Sequence, residues 1–138
     1  MTLFLLDTNI VSEAGRARPH PGVVAFLERE DNLCVSTTLF EELSFRLDRA
    51  PPQRRARLTL FYEGVQAQFG ARALPVDLDV ARTSGRLRAL AHNQGRVLHM
   101  GDALIAATAV VHGATVATRN IRDFVGLSVD LFDPFAAT

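Results

Sequence analysis

The feature that most constrains the fold is the start of the chain, where four apolar residues (3–6) end abruptly at Asp7. A short apolar run bounded by polar residues predicts a fully buried strand of a parallel sheet. Open α/β sheets bind their ligands just outside the carboxyl ends of such strands. The sequence therefore predicts that the Asp7 carboxylate lies where an α/β fold does chemistry, with oxygen atoms of Thr8 and Asn9 beside it.

Strand and helix patterns alternate along the rest of the chain. Helices are predicted at residues 9–14, 21–29, 37–47, 52–69, 78–94 and 102–112, and further strands at 33–35, 73–76, 114–117 and 129–132. Ser36 and Asp77 are predicted N-caps, and Gly113 is predicted to end the last helix. This alternation predicts a three-layer α/β domain with a mainly parallel sheet of four to five strands flanked by helices. The length of 138 residues predicts one domain, 1–138.

Periodicity also predicts which helical side chains face the core. In helix 21–29 these are Val24, Phe26 and Leu27, and Phe45 is placed among the apolar positions that surround Glu42. Helix 102–112 is apolar nearly all round, which predicts a central, buried helix. Cys34, in a short apolar segment, is predicted to be a buried structural thiol.

Charge and hydropathy exclude some classes of protein and leave others open. The 15 basic residues, all arginine, balance the 15 acidic ones, so net charge argues neither for nor against a polyanionic partner. A high-GC genome explains an all-arginine chain, whereas phosphate recognition would need the arginines to cluster. The segments that could form a basic rim for RNA contain Arg16, Arg18, Arg46, Arg49, Arg54, Arg55 and Arg57. No apolar span or leader predicts a membrane association, so a cytoplasmic protein is expected.

The role of Asp7 depends on whether other acidic residues of the chain lie close to it. Asp7 and Asp102 could each be a helix cap, Glu42 could be a solvated surface charge, and an Asx turn would explain Asn120 or Asp123. If the acids instead converge, two carboxylates 4 Å apart repel by about 4 kcal/mol at an effective dielectric near 20. Such a group needs protonation or a cation, and oxygen ligands suit Mg²⁺ or Mn²⁺. A hard cation of this kind supports phosphodiester hydrolysis.

Four segments resemble the motif set of PIN-domain ribonucleases, and most closely that of the VapC toxins of bacterial toxin–antitoxin pairs, including the FitB-like branch. They are LLDTNIVSE at 5–13, the stretch 36–43, DALIAATA at 102–109, and TRN with RDF at 118–120 and 122–124. The resemblance covers essentially the whole chain, to residues 132–135. It implies a PIN fold and a ribonuclease that requires Mg²⁺ or Mn²⁺.

The resemblance also implies roles for individual residues. By position, Asp7, Glu42 and Asp102 match the three core acids that hold the metal and carry catalysis. The fourth acid differs among relatives. Some have Asp where this chain has Asn120, and in others the fourth acid is the one that Asp123 matches. The polar residues of the pocket would be Thr8, Asn9 and Thr118. His20, His92, His99 and His112 match no motif and are expected at the surface or at helix caps.

The implied reaction is hydrolysis of RNA without a covalent intermediate, leaving a 5′-phosphate and a 3′-hydroxyl. The implied partners are a cognate antitoxin, with a DNA-binding domain of its own, and a second toxin copy in a homodimer. A haloacid-dehalogenase-like phosphatase is disfavoured because Asn9 stands where that class has a second Asp. A PIN-like module that binds RNA or protein with little or no cleavage is the remaining alternative.

Overall fold

The computed structural model describes residues 1–136 and contains a five-stranded sheet in the order β3-β2-β1-β4-β5, with every pair parallel. The strands are β1 Phe4–Leu6, β2 Leu33–Ser36, β3 Ala73–Leu74, β4 Thr115–Ala117 and β5 Leu131–Phe132. The helices are α1 Thr8–Ala14, α2 Pro21–Arg29, α3 Thr37–Asp48, α4 Pro52–Phe69, α5 Leu78–Asn93, α6 Met100–His112 and α7 Ile121–Phe124. This architecture confirms the predicted α/β fold class.

Helices cover the two faces of the sheet and form two hydrophobic cores. On one face Leu5 and Val116 pack against α5, α6 and α7, and on the other face Phe4 and Leu6 pack against α1 to α4. Successive strand residues point to opposite faces, so three-residue strands contribute to both cores. The predicted three-layer arrangement is therefore confirmed.

Strand β1 lies at the centre of the sheet, which decides where its carboxyl end points. Leu5 pairs with Cys34 of β2 on one side and with Val116 of β4 on the other. The Asp7 backbone N–H donates to the Ala117 carbonyl (3.0 Å), which continues the ladder past the last paired residue. Residues 7 and 118 therefore meet at the carboxyl edge of the sheet.

The predicted helix ends agree with the structure where a side chain or a glycine sets them. The Asp77 carboxylate accepts from the Val80 N–H (3.0 Å), and Ser36 Oγ accepts from the Thr38 N–H (3.1 Å). Gly113 has φ 65°, a left-handed conformation that favours glycine after a helix. Cys34 is buried as predicted, and burial raises the pKa of its thiol to about 11.

Three packing predictions were wrong. In α2 the buried valine is Val23, not Val24, because Val23 lies three residues before the buried Phe26 and so shares its face of the helix. Phe45 is 60% exposed, since it lies on the solvent side of α3. Helix α6 is not enclosed all round: α5 and the sheet cover one side, and Val110 and Val111 are exposed on the other.

Two further differences concern the last quarter of the chain. Residues 121–124, where no helix was predicted, form the short helix α7, because Phe124 enters the core. Strand β5 is two residues long rather than four. No helix within residues 1–136 has the length and apolar character needed to cross a membrane.

Candidate active site

The Asp7 carboxylate lies at the carboxyl end of β1 and is 6% exposed. Its Oδ1 accepts from the Thr8 N–H (2.8 Å), and its Oδ2 accepts from Thr118 Oγ1 (2.8 Å) and Asn9 Nδ2 (3.3 Å). Burial raises the pKa of Asp7, while the bonds from Thr118, Thr8 and Asn9 lower it and the charge of Asp123 raises it. Desolvation dominates, so the ionised form of this carboxylate is less stable here than in water.

The predicted pocket residues Thr118 and Asn9 form one network with Asp7. Thr118 Oγ1 donates to Asp7, accepts from the Asn120 N–H (3.0 Å), and lies 3.3 Å from Asn9 Nδ2. Asn9 Oδ1 accepts from the Arg119 N–H (3.1 Å). Because β1 and β4 are neighbours, residues more than a hundred positions apart fix the orientation of one carboxylate.

Glu42 lies on α3 and is half-buried rather than on the solvent side of that helix. Burial raises the pKa of Glu42, the Thr8 hydroxyl and the Arg46 guanidinium lower it, and the charge of Asp7 raises it. Arg46 Nη2 is 3.7 Å from Glu42 Oε2. The Thr8 hydroxyl is close enough to lower the pKa of Glu42. Its buried Oγ1 nevertheless makes no hydrogen bond of ordinary geometry within residues 1–136.

Asp102 stands in the first turn of α6 and also faces this edge of the sheet. Its pKa is raised to about 6, chiefly by burial and then by the charges of Asp7, Asp123 and Glu42, while His99 lowers it. Coulombic coupling of this kind needs the groups to be close across little water. The structure therefore brings together the three acids that the motif resemblance singled out.

Asp123 and Asn120 occupy different positions around these acids. The charge of Asp123, on α7, raises the pKa of both Asp7 and Asp102. Asn120 is exposed at the start of α7, where its side chain makes no capping bond and only its backbone N–H joins the network through Thr118. Asp123 is therefore the fourth carboxylate that acts on the cluster.

The four carboxylates surround one region without touching. Within residues 1–136, no three Asp, Glu, His or Cys side chains approach closely enough to form a ready-made metal site. The donor chemistry, carboxylates with hydroxyl and amide oxygens and no thiolate, suits a hard divalent cation.

The predicted RNA-contacting arginines form one cluster and several separate positions. Arg46, Arg49 and Arg54 line a shared surface groove of about 400 Å³ at the end of α3. Arg55 Nη2 donates to the Ala50 carbonyl (2.9 Å), and Arg16 pairs with Glu13 (3.3 Å). Arg18 and Arg57 are exposed. The expected clustering is thus present only where α3 meets α4.

Sequence reasoning missed several residues that support the site. Glu13 is buried, and its Oε2 accepts from the His20 N–H (2.8 Å), which fixes the turn after α1. Ser12 Oγ accepts from Arg46 Nη1 (3.0 Å). Arg119 stacks on Phe135 with its guanidinium 4.7 Å from the ring centre. The only sequence signal was their position inside or beside the motif segments.

His99 and His20 are both at helix starts, as expected for residues without a motif. His20 Nδ1 accepts from the Gly22 N–H (3.0 Å), which caps α2. His99 precedes α6 and acts on Asp102, so it borders the acids although no motif marked it.

Comparison with known proteins gives consistent matches over almost the whole chain. The family model described as "PIN domain" matches residues 4–126. The VapC ribonuclease Y4jK of Sinorhizobium fredii is 34% identical over 96% of this chain and 98% of its own length. Toxin FitB of Neisseria gonorrhoeae is 34% identical over 96% of this chain and 99% of its own length. The solved structure of FitAB bound to an IR36 DNA fragment superposes with a TM-score of 0.87 at 29% identity, covering 99% of this chain and 98% of that one.

Proposed function

Because this chain belongs to the PIN-domain family, we propose that it is a ribonuclease and the toxin of a VapBC-like toxin–antitoxin pair. Two relatives that it covers almost end to end are a VapC ribonuclease and the toxin FitB. Similarity of this extent includes every motif segment, so the proposal concerns the whole described chain rather than one region.

The observation that carries the site assignment is the electrostatic coupling of acids from different elements. Asp7 follows β1, Glu42 lies on α3, Asp102 opens α6 and Asp123 lies on α7, yet their charges act on one another. A fold retains several uncompensated carboxylates at some loss of stability, and such groups are enriched at functional sites. We assign these four as the catalytic acids and leave Asn120 as a backbone contact.

Mg²⁺ or Mn²⁺ is the proposed cofactor. Asp7, Glu42, Asp102 and Asp123 would hold it, with the neutral oxygens of Thr8, Asn9 or Thr118 nearby. A divalent cation is a suitable partner for these residues, because a positive charge would stabilise the ionised form of buried carboxylates whose pKa values are raised. A bound divalent cation lowers the pKa of water and stabilises negative charge on a phosphodiester.

The chain's own residues then have distinct tasks. Thr118, Asn9 and the Thr8 N–H hold Asp7 in one orientation, so this ligand needs no rearrangement. Water attacks the phosphorus in line, the bond to the 3′ oxygen breaks, and the proton from water ends on that oxygen. The products are a 5′-phosphate and a 3′-hydroxyl. One of the acidic side chains would accept that proton on the way.

The proposed partners follow from the relatives. The solved FitAB complex bound to DNA indicates that this chain pairs with a cognate antitoxin, which would supply the DNA-binding domain. We further propose a homodimer of this chain within that complex. We also propose that the chain acts in the cytoplasm.

The test is cleavage of RNA by the purified chain with Mn²⁺ and with EDTA, followed by identification of the product ends. We expect cleavage only with Mn²⁺, and products that a 5′-phosphate-dependent exonuclease degrades. The matched pair Glu42→Gln and Glu41→Gln changes one charge on the same helix, with Glu41 exposed. Loss of activity should follow only the first. Binding of RNA without any cleavage would instead favour the non-cleaving module.

A further inference from the structure

A cavity of about 260 Å³ borders the proposed catalytic acids on the side of α6. Its polar lining is formed by Arg96, His99, Asp102, Arg122 and Asp123. Pockets that enclose whole small ligands usually measure ~300–1,000 Å³, so this cavity suits one segment of a larger substrate. Arg96 and Arg122 thus line the same cavity as two of the proposed catalytic acids.

The Arg96 side chain is held in place by a relay that ends on the backbone. Arg96 Nη2 donates to Gln94 Oε1 (2.9 Å), and Gln94 Nε2 donates to the Gly126 carbonyl (3.1 Å). Gly126 has φ 86°, and a Cβ built there would lie 3.4 Å from Gln94 Oε1 and 3.5 Å from Arg96 Nη2. The positive φ of residue 126 is what favours glycine there, since these Cβ distances are ordinary van der Waals contacts.

The positive charge of Arg96 is not used by the protein itself. The ion pairs found within residues 1–136 are Arg16–Glu13, Arg29–Glu30 and Arg46–Glu42. The residue that lowers the pKa of Asp102 is His99, not Arg96. The guanidinium therefore lies near the acids without compensating them, and its remaining N–H groups can bind an anion.

We infer that Arg96 binds a backbone phosphate of the RNA next to the scissile phosphodiester and so positions the strand across Asp102 and Asp123. The inference rests on the proposed ribonuclease function. Phosphate is the anion that repeats along RNA, and the planar guanidinium matches its oxygens. A strand entering an acidic region is repelled unless a nearby cation offsets that repulsion.

The binding test uses a fluorescein-labelled single-stranded RNA and the non-cleaving Asp7→Asn background. Neutralising one phosphate contact should reduce the slope of log affinity against log salt by ~0.7 for single strands. We expect this reduction for Arg96→Ala, the parental slope for Arg96→Lys, and weaker binding with the parental slope for Gln94→Ala. Arg82→Ala is the control, since Arg82 is exposed on α5 about three turns before its end.

The cleavage test uses the same substitutions in the otherwise wild-type chain with Mn²⁺. Arg96→Ala should raise KM about tenfold and change kcat by less than about threefold, because a remote phosphate contact is the same in ground and transition states. Unfolding measured by circular dichroism checks that each variant is folded. A purely structural role of Arg96 would not move the salt slope.

Two results overturn the inference, and they can be told apart. If wild type cleaves RNA and Arg96→Ala matches Arg82→Ala in salt slope and KM, then Arg96 does not bind the substrate while the proposed function stands. Weaker binding of the antitoxin alone would then assign Arg96 to that partner. If wild type neither binds nor cleaves RNA, the proposed function fails and the inference fails with it.

Discussion

At the scale of single residues, the hydrogen bond from Thr118 Oγ1 to Asp7 Oδ2 (2.8 Å) connects the two central strands at the site. Thr118→Val keeps the shape and removes this donor, which leaves a buried carboxylate less satisfied. Removing a partner from a buried group costs about 1–3 kcal/mol. We expect the free energy of unfolding to fall by about 2 kcal/mol and Mn²⁺ affinity to fall as well.

Chemical denaturation and calorimetric titration with Mn²⁺ measure these two effects. Thr115→Val is the control, because Thr115 lies in β4, three residues before Thr118, and its hydroxyl takes no part in the hydrogen bonds to Asp7. Equal losses in the two variants would show that the Thr118 hydroxyl has no special role.

Asp102 shows how the same acids reduce stability when no cation is bound. Its folded pKa of about 6 exceeds the ordinary 3.8, so the folded state binds more protons between these values. Stability therefore falls as the pH rises from about 4 to about 6, and the penalty is complete above that range. Asp102→Asn removes the penalty, so Tm above pH 6 in EDTA should rise by about 4 °C, or ~1 kcal/mol after solvent screening.

Thermal unfolding in EDTA at pH 5 and pH 7.5 measures this effect, and wild type and variant should differ more at pH 7.5. Asp79→Asn is a suitable control, because Asp79 is an exposed acid in the first turn of α5. A lower Tm for Asp102→Asn at pH 7.5 would mean that this carboxylate stabilises the fold rather than strains it.

At the scale of elements, the turn between α1 and α2 depends on one buried acid. Glu13 binds the His20 N–H (2.8 Å) and pairs with Arg16 (3.3 Å), so it closes the turn that carries Arg16 and Arg18. Glu13→Ala leaves that backbone N–H without its charged partner. We expect a loss of about 2 kcal/mol with an unchanged m-value in urea. The exposed Glu28→Ala on α2 should stay within about 0.5 kcal/mol of wild type.

Most element boundaries could be predicted because they depend on local chemistry. Pro21 begins α2, the Asp77 side chain caps α5, and Gly113 adopts the left-handed conformation after α6. The wrong predictions needed tertiary information. Phe45 is exposed because no element covers that side of α3, and α7 forms because Phe124 has a place in the core.

The site also contains some features that could be predicted from the sequence and others that could not. The motif resemblance pointed to Asp7, Glu42 and Asp102, and the structure brings their charges together. The relay from Gly126 through Gln94 to Arg96 could not be predicted, because it joins residues that are 32 positions apart. Spacing along a chain cannot show such contacts until the loops are placed.

At the scale of the whole molecule, a divalent cation should connect four elements that otherwise repel. Binding to the folded state alone stabilises by ~2.7 kcal/mol at a ligand concentration 100 times Kd. Wild type should therefore gain several degrees in Tm on adding Mn²⁺, and Asp7→Asn should gain clearly less. Differential scanning calorimetry measures both shifts, and equal shifts would count against Asp7 as a ligand.

The most direct test of the central claim is Mn²⁺-dependent RNA cleavage by Asp7→Asn compared with wild type, on protein shown to be folded by circular dichroism. The substitution keeps the size of the side chain and removes the charge at the centre of the acidic cluster. The account predicts a loss of activity of at least about a thousandfold, which corresponds to ~4 kcal/mol of transition-state stabilisation. Cleavage within about threefold of wild type would contradict it.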